Sequence, residues 1–272
     1  MECYEKGIIT LKDTGGIDLR FGNTKSMLDL LYQIVNRSTP IGKTLSEGSA
    51  RAAEKWGAEA EKCLITVKNE EAPAHMPQSK KSLALIYAVN PFGADHQSSE
   101  HDWMYEEGTS QLYLDRLDLI GLKNPPPAND FGHEKVKFAT LTEIFYSMLD
   151  TLELCQFVYG PAWTLFGPSE TVEMVRSVTG WDVTLEELML LGERRLNMMR
   201  VFNSREGFDR KDDRLPDKFF KPLQGKGPTS GVAVDKGLLE KAITLYYGAL
   251  GWTDFGIPSR VKLSELGLEW IT

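Results

Sequence analysis

Between its glycines, prolines and asparagines this chain reads almost everywhere at helical period, which confines it to a mainly α, multi-helical fold. The strongest single instance is Thr184-Leu-Glu-Glu187, a capping box with a hydroxyl at the N-cap and a carboxylate three residues on. It predicts a helix running towards Arg200, with Leu185, Leu188, Met189, Leu196 and Met199 as its apolar stripe. Residues 23–38 place Met27, Leu28, Leu31, Ile34 and Val35 on one face, with Asn23 or Thr24 available as N-cap. The spacing predicts one Ala-rich helix over 42–57, stopped at Gly57, and a long helical stretch over 134–160 with Ile144, Phe145, Met148, Leu149 and Leu152 on one side. A shorter helix over 168–180 has Ser169 as cap and Gly180 as stop, and a last sizeable one over 235–252 precedes a coiled tail. "SLALIYAV" is a helix or buried segment that breaks at Asn90-Pro91. Strand signals are sparse: "CLITVKNEEAPAHMP" opens with a short β-branched run and then loses all period. It reads as an extended connector and marks the candidate domain boundary, giving residues 1–68 and 69–272.

The charge pattern excludes whole function classes. Net charge is −8 with acids and bases interleaved, so there is no basic stripe to meet phosphates and no nucleic-acid partner is expected. No apolar run approaches the ~20 residues of a membrane span, and the N-terminus lacks the regions of a signal peptide. Three cysteines, at 3, 63 and 155, suggest no disulfide framework and make a reducing cytoplasm the expected location. Alone, the chain cannot supply four thiolates to anything.

Two places could carry chemistry. Asp95-His96-Gln-Ser-Ser-Glu100-His101-Asp102 packs two imidazoles and three carboxylates into eight residues, enough for a divalent cation or for proton transfer. On a helix His96 and Glu100 would share a face, His96 and His101 would not, and no H-E-x-x-H zinc pattern is present. The plainer reading is a solvated helix start capped by Asp95 or Ser98; a mononuclear metal hydrolase on residues 95–102 is the sharper one. The second place is Cys155 in "DTLELCQF", which runs into the aromatic "VYGPAW". A lone cysteine among apolar neighbours is ordinarily core, and a carboxylate nearby disfavours a thiolate nucleophile, so metal ligation with outside partners is the alternative. Gly225–Gly231 lacks phosphate-loop spacing and reads as a surface turn. Arg194, Arg195, Arg200, Arg205 and Arg210 read as a solvated, salt-bridging face, and Tyr246, Tyr247 and Trp252 as core.

The order of several motifs adds to this. "VTGWDVTLEELMLLGERRLNMMRVFNSREGFDRKDDRLPDKFFKPL" and "YYGALGWTDFGIPSRVKLSELGLEW", preceded in order by "MECYEKGIITLKDTGGIDLRFGN", "IGKTLSEG", "VKNEEAPAHMP", "YAVNPFGADH" and "DTLELCQF", closely resemble the tungsten-containing aldehyde ferredoxin oxidoreductase family. The resemblance spans essentially all 272 residues but only the C-terminal half of a family member. The family's N-terminal pterin domain and its C-x-x-C-x-x-x-C segment have no counterpart, which implies a fragment: a split gene, a late start codon or a deliberate C-terminal piece. Residues 1–68 would then be the end of the family's middle helical domain and 69–272 its C-terminal helical domain.

In the family, tungsten (or molybdenum) held by two pterins and a 4Fe-4S cluster oxidise aldehydes to acids, with ferredoxin or an electron-transfer subunit as acceptor. The family's D-x-x-G-L-C-x motif falls on Asp150 to Gln156: the resemblance implies pterin binding at Asp150, the matching leucine at Leu154, and Cys155 as fourth cluster ligand. Glu153 stands where the family has Gly. "DLIGLKN" mimics the motif but ends in Lys123, and is taken as a decoy. The G-A-C-H segment falls on Gly93 to His96, with Asp95 replacing Cys, a form closer to relatives that include the benzoyl-CoA-reducing tungsten subunit. His96 is implied as the proton-transfer residue, with Glu100 or His101 orienting it. Without the rest of the family's parts, the expected state is a chain that retains neither cofactor and is inactive alone. A companion N-terminal chain or a homodimer is the expected assembly, and a cofactor-free helical interaction module the competing reading.

Overall fold

Side-chain caps start five of the thirteen α-helices in the computed structural model of the chain, which describes residues 1–106, 108–160 and 165–271. The Pro161–Trp163 portion of the aromatic segment lies outside the described residues. Those described are mainly α, with thirteen α-helices and one two-stranded hairpin, and they divide into two compact units, Met1–Glu71 and Ala72 onward.

The first unit holds α1 (Glu2–Glu5), α2 (Thr24–Asn36), α3 (Pro40–Leu45), α4 (Ser49–Trp56) and α5 (Ala58–Glu61). Asn23 is the N-cap of α2, its side-chain oxygen accepting from the Ser26 amide at 3.2 Å. The single helix expected over 42–57 is two, because Gly48 at φ 93° interrupts it. The apolar stripe of α2 is where the period puts it, yet it is uncovered: Met27, Leu28, Leu31 and Val35 are all exposed, Val35 at 72%. The expected connector begins as a hairpin of β1 (Thr66–Val67) and β2 (Glu70–Glu71), paired antiparallel. Lys68 and Asn69 between them both take positive φ, as a tight two-residue hairpin loop requires.

The second unit contains α6 (Lys81–Val89), α7 (Gln111–Leu119), α8 (His133–Thr151), α9 (Gln156–Tyr159), α10 (Pro168–Thr179), α11 (Leu185–Arg205), α12 (Lys236–Ala249) and α13 (Arg260–Glu265), with 3-10 turns at Asp102–Tyr105, Asp217–Phe220 and Glu269–Ile271. The capping box is complete: the Glu187 amide donates to Thr184 Oγ1 at 3.2 Å and the Thr184 amide to Glu187 Oε2 at 2.8 Å. α10 starts one residue earlier than Ser169, from Gly167 with Pro168 at the first position, where a missing N–H costs nothing. The tail expected to be coil forms α13, capped by Ser259, because Leu263, Leu266, Leu268 and Ile271 bury against Val201.

α8 is the axis of this unit and packs on α6, α11 and α12. Phe138, Phe145, Met148 and Leu149 from α8 bury with Val172, Val175 and Leu188, each such side chain contributing about 1.5–3 kcal/mol. α11 crosses α8 at Gly192, where a Cβ would lie 2.1 Å from the Ile144 carbonyl oxygen, so only glycine permits this approach. α6 is buried at every residue, as its all-round apolar sequence demands. The arginine series is not a solvated face: Arg200 is fully buried, pairs with Asp213 at 2.7 Å and donates to the Gly256 carbonyl at 2.6 Å. No helix among the described residues is long and apolar enough to cross a membrane.

Candidate functional site

The loop that follows α6 cannot continue as helix, because Pro91 forces Asn90 out of the helical region, to ψ 138°. Instead of the solvated helix start expected at 95–102, the segment 91–101 is irregular and half inward-facing, with Ser98, Ser99, Glu100 and Asp102 buried. Its polar side chains act as fasteners, most of them onto α8. Asn90 Nδ2 donates to Glu143 Oε1 at 2.9 Å, Tyr146 OH donates to Glu100 Oε1, and Lys135 Nζ pairs with Asp102 at 3.0 Å. Asp102 also accepts the Ser82 amide at 3.0 Å and the Ser82 hydroxyl. Asp95 caps its own loop, accepting from the Gln97 amide at 3.0 Å and from Ser98 Oγ. Side chains bonding local backbone and neighbouring helices in this way compete with helical pairing. With the carboxylates so engaged, the octet does not assemble as a mononuclear metal centre. Among the described residues no group of three or more His, Cys, Asp or Glu side chains is arranged to hold a metal ion.

The loop carries His96 and His101 to a third histidine that sequence reasoning passed over. His75 stacks on His96 with ring centroids 4.6 Å apart and meets His101 edge-on at 4.8 Å. Lys80 Nζ lies 2.9 Å from Nδ1 of His75 and 2.9 Å from Nδ1 of His101. His101 Nε2 is 3.0 Å from the His96 carbonyl oxygen, and its acceptor there fixes Nε2 as the protonated nitrogen. Burial, opposed by that bond, depresses the His101 imidazole to about 4, and Lys80 and the two neighbouring imidazoles push it the same way. Burial also lowers His75 and Lys80, with Asp102 opposing at Lys80. His75 sits in the stretch that had lost its period and looked like bare connector, and Lys80 is the residue before the buried helix. The only cue was a histidine and a basic residue spent between two prolines and a buried helix.

Asp150, Leu154 and Cys155 lie at the end of α8. The helix closes in a Schellman motif: the Leu154 amide donates to the Leu149 carbonyl at 2.9 Å and the Glu153 amide to Asp150 at 3.2 Å. Glu153 is the left-handed residue of that motif, at φ 57°. The family's glycine position is thus a backbone requirement of the helix terminator, and Glu153 meets it at a steric cost. Leu154 packs back on the core that holds Leu149, the hydrophobic contact such a cap favours. Cys155 is exposed at the start of α9, which overturns the reading of it as core filler.

The two places are one region. Gln156 Nε2 donates to Gln97 Oε1 at 2.6 Å, tying the residue after Cys155 to the residue after His96. Arg195 of α11 pairs with Asp150 at 3.1 Å and lies 5.6 Å from the centre of the Phe92 ring in the histidine loop. Burial raises the Asp150 carboxyl, Arg195 opposes this, and the charge of Asp95 adds to it. Gln156 Oε1 is buried without a partner among the described residues.

The motif order agrees with direct comparison. A family model described as aldehyde ferredoxin oxidoreductase, domains 2 and 3, matches residues 1–268. The tungsten-containing aldehyde ferredoxin oxidoreductase of Pyrococcus horikoshii is 31% identical over 274 aligned residues, which cover 99% of this chain and 41% of that protein. The aliphatic sulfonate oxidoreductase, WOR-like subunit, of Pyrococcus furiosus is 30% identical over 279, covering 98% and 38%. Among solved structures, the active site complex BamBC of benzoyl coenzyme A reductase with 1,5 dienoyl-CoA shares the fold. Its TM-score is 0.70 at 21% identity, covering 99% of this chain and 42% of that one. The chain thus spans about two fifths of the length of the relatives it matches. With a family model matched along nearly its whole length, the chain belongs to the aldehyde ferredoxin oxidoreductase family.

Proposed function

We propose that this chain is the C-terminal part of a tungsten–pterin, iron–sulfur oxidoreductase and contributes a proton-transfer loop and one cluster ligand to it. The observation that carries the reading is the Gln156–Gln97 hydrogen bond, which sets the Cys155 segment beside the His96 loop on one helix end. Residues up to the hairpin would be the end of the family's middle domain and the rest its C-terminal domain.

The donor set sets a limit. A 4Fe-4S cluster takes four thiolates, whereas Cys155 is the one cysteine of the second unit and Cys3 and Cys63 belong to the first. The residues present therefore do not fit a cluster by themselves, and no step is routed through one. Three further thiolates must come from outside these 272 residues.

What this chain supplies is placement. His96 holds or gives up a proton on its ring, imidazole being the side chain that titrates nearest neutral pH. His101 fixes the His96 backbone through its carbonyl, and Glu100 anchors the loop to Tyr146. Asp150, paired to Arg195 with its side chain 46% exposed, and Leu154, half-buried against the core by the helix cap, hold Cys155 outward. Asp95, where aldehyde-oxidising members have Cys, is engaged by Gln97 and Ser98 and shapes the loop rather than the substrate. The substrate class therefore stays between an aldehyde and the aromatic acyl-CoA reduced by the benzoyl-CoA relatives. The uncovered stripe of α2 offers the companion chain an apolar landing face.

The test is co-expression with the upstream half of a relative that carries C-x-x-C-x-x-x-C, followed by iron, tungsten and pterin analysis and a visible spectrum. A brown complex with about four irons is expected, and Cys155→Ala should lose them. A colourless complex would overturn the reading and leave the cofactor-free helical module.

A further inference from the structure

We infer that Lys80 is a positioning residue for the histidine cluster: it donates to Nδ1 of both His75 and His101, fixing each ring in its Nε2–H form and so setting the pose of His96. This deepens the reading of His96 as the proton-transfer residue and rests on it.

The geometry leaves little choice of roles. An ammonium has three hydrogens and no acceptor, so at 2.9 Å from each Nδ1 it must be the donor to both. Each ring then carries its own proton on Nε2. At His101 that proton points to the His96 carbonyl at 3.0 Å, which holds the backbone of the loop. At His75 the ring so fixed forms the face on which His96 stacks, 22° from parallel. His96 is thus gripped from two sides, by its backbone and by its ring face, and both grips trace to one ammonium. Its own ring nitrogens make no hydrogen bond among the described residues, which leaves them open to a reacting partner.

Charge supports the same assignment. No carboxylate among the described residues forms an ion pair with Lys80; Asp102, the acid whose charge acts on it, is paired with Lys135 instead. A cation placed between two imidazoles disfavours a second positive charge on either of them. Burial first, and the Lys80 charge beside it, favour the neutral state of His75 and His101. Nothing in the loop's own sequence supplies that charge; it comes from the residue before α6.

The test uses the full 272-residue chain, 15N-labelled, with long-range proton–nitrogen correlation of the histidine rings near neutral pH. In the unaltered chain His75 and His101 should each show a bare Nδ1 and a protonated Nε2. In Lys80→Met, His75 should lose the fixed tautomer and move to the averaged pattern of free imidazole, while His101, whose Nε2–H is also held by the His96 carbonyl, should change less; Lys80→Arg, which keeps two donors, should restore the pattern. A protonated Nδ1 at His75 or His101 in the unaltered chain overturns the inference, and so does a His75 tautomer that survives Lys80→Met. Should Lys80→Met fail to fold by circular dichroism, Lys80→Leu is read in its place, with an averaged His75 tautomer again the supporting result. This readout does not depend on turnover. A failure of the underlying reading would show separately, as undiminished activity of His96→Gln in the assembled, cofactor-loaded complex.

Discussion

Glu153 shows what a single residue can reveal about a motif. The family pattern places glycine there, and the left-handed φ of 57° explains why: the position ends α8. "DLIGLKN" repeats the geometry, with Gly121 at φ 89° and the Leu122 amide donating to the Leu117 carbonyl at 3.0 Å. The sequence mimicry of the two segments is therefore structural, since D-x-x-G-L is a helix terminator in both. Only the residue that follows, Lys123 in one and Cys155 in the other, separates them chemically. A left-handed non-glycine residue costs about 1–2 kcal/mol, and glycine gives back about 0.4–1 through the entropy of the unfolded chain. Glu153→Gly should therefore stabilise by about 0.5–1 kcal/mol in urea denaturation; a loss of stability would contradict this origin of the motif. His101 gives a pH signature. Unfolded, it takes up a proton near 6.5; folded, with burial first and then Lys80, His75 and His96 against it, it waits until about 4. Its contribution is complete above 6.5 and is lost as pH falls towards 4. His101→Gln should flatten that stretch of the stability profile, and an unchanged slope would show that the ring is not held neutral.

At the level of elements, the helical period marked the helices well but not what covers them. Thr184 with Glu187, and Asn23, were legible because capping is local chemistry. The break at Gly48, the helix in the tail and the irregular course of 91–101 were not, because each depends on contacts distant in sequence. The carboxylates of the octet illustrate this: as a string they look like ligands or a solvated cap, and only the arrival of Lys135 and Tyr146 turns Asp102 and Glu100 into anchors. Gly192 was equally silent, since its role is to let α11 reach α8. Gly192→Ala should cost about 2–3 kcal/mol of unfolding free energy, as the helices part to admit a methyl group, and a change below about 0.5 would contradict the crossing. The stripe of α2 behaves in the opposite way. Leu31→Glu with Val35→Glu should leave the thermal midpoint nearly unchanged, because both side chains are already exposed, and should reduce self-association in sedimentation. A large drop in midpoint would mean that the stripe is covered within the chain.

Across the molecule, fold class and family were readable from the amino acids, whereas the composition of the site was readable only in part. His96, Glu100, His101, Asp150, Leu154 and Cys155 were singled out on motif order, and the structure gathers them around one end of α8 in unequal roles. His75, Lys80 and Arg195 were invisible because each comes from a segment with another evident explanation: connector, helix start, solvated face. The exposed Cys155 makes the assembly question concrete, and loss of iron from the Cys155→Ala complex is the measurement that answers it.

α8 itself has a mechanical consequence. It fastens the histidine loop at Lys135, Glu143 and Tyr146, along about 16 Å of its length, and then ends in the cysteine segment. Thermal bending or sliding of this rod carries both cargoes in the same sense. The gauge between the His96 loop and the Cys155 thiol is thereby insulated from the breathing of the surrounding helices.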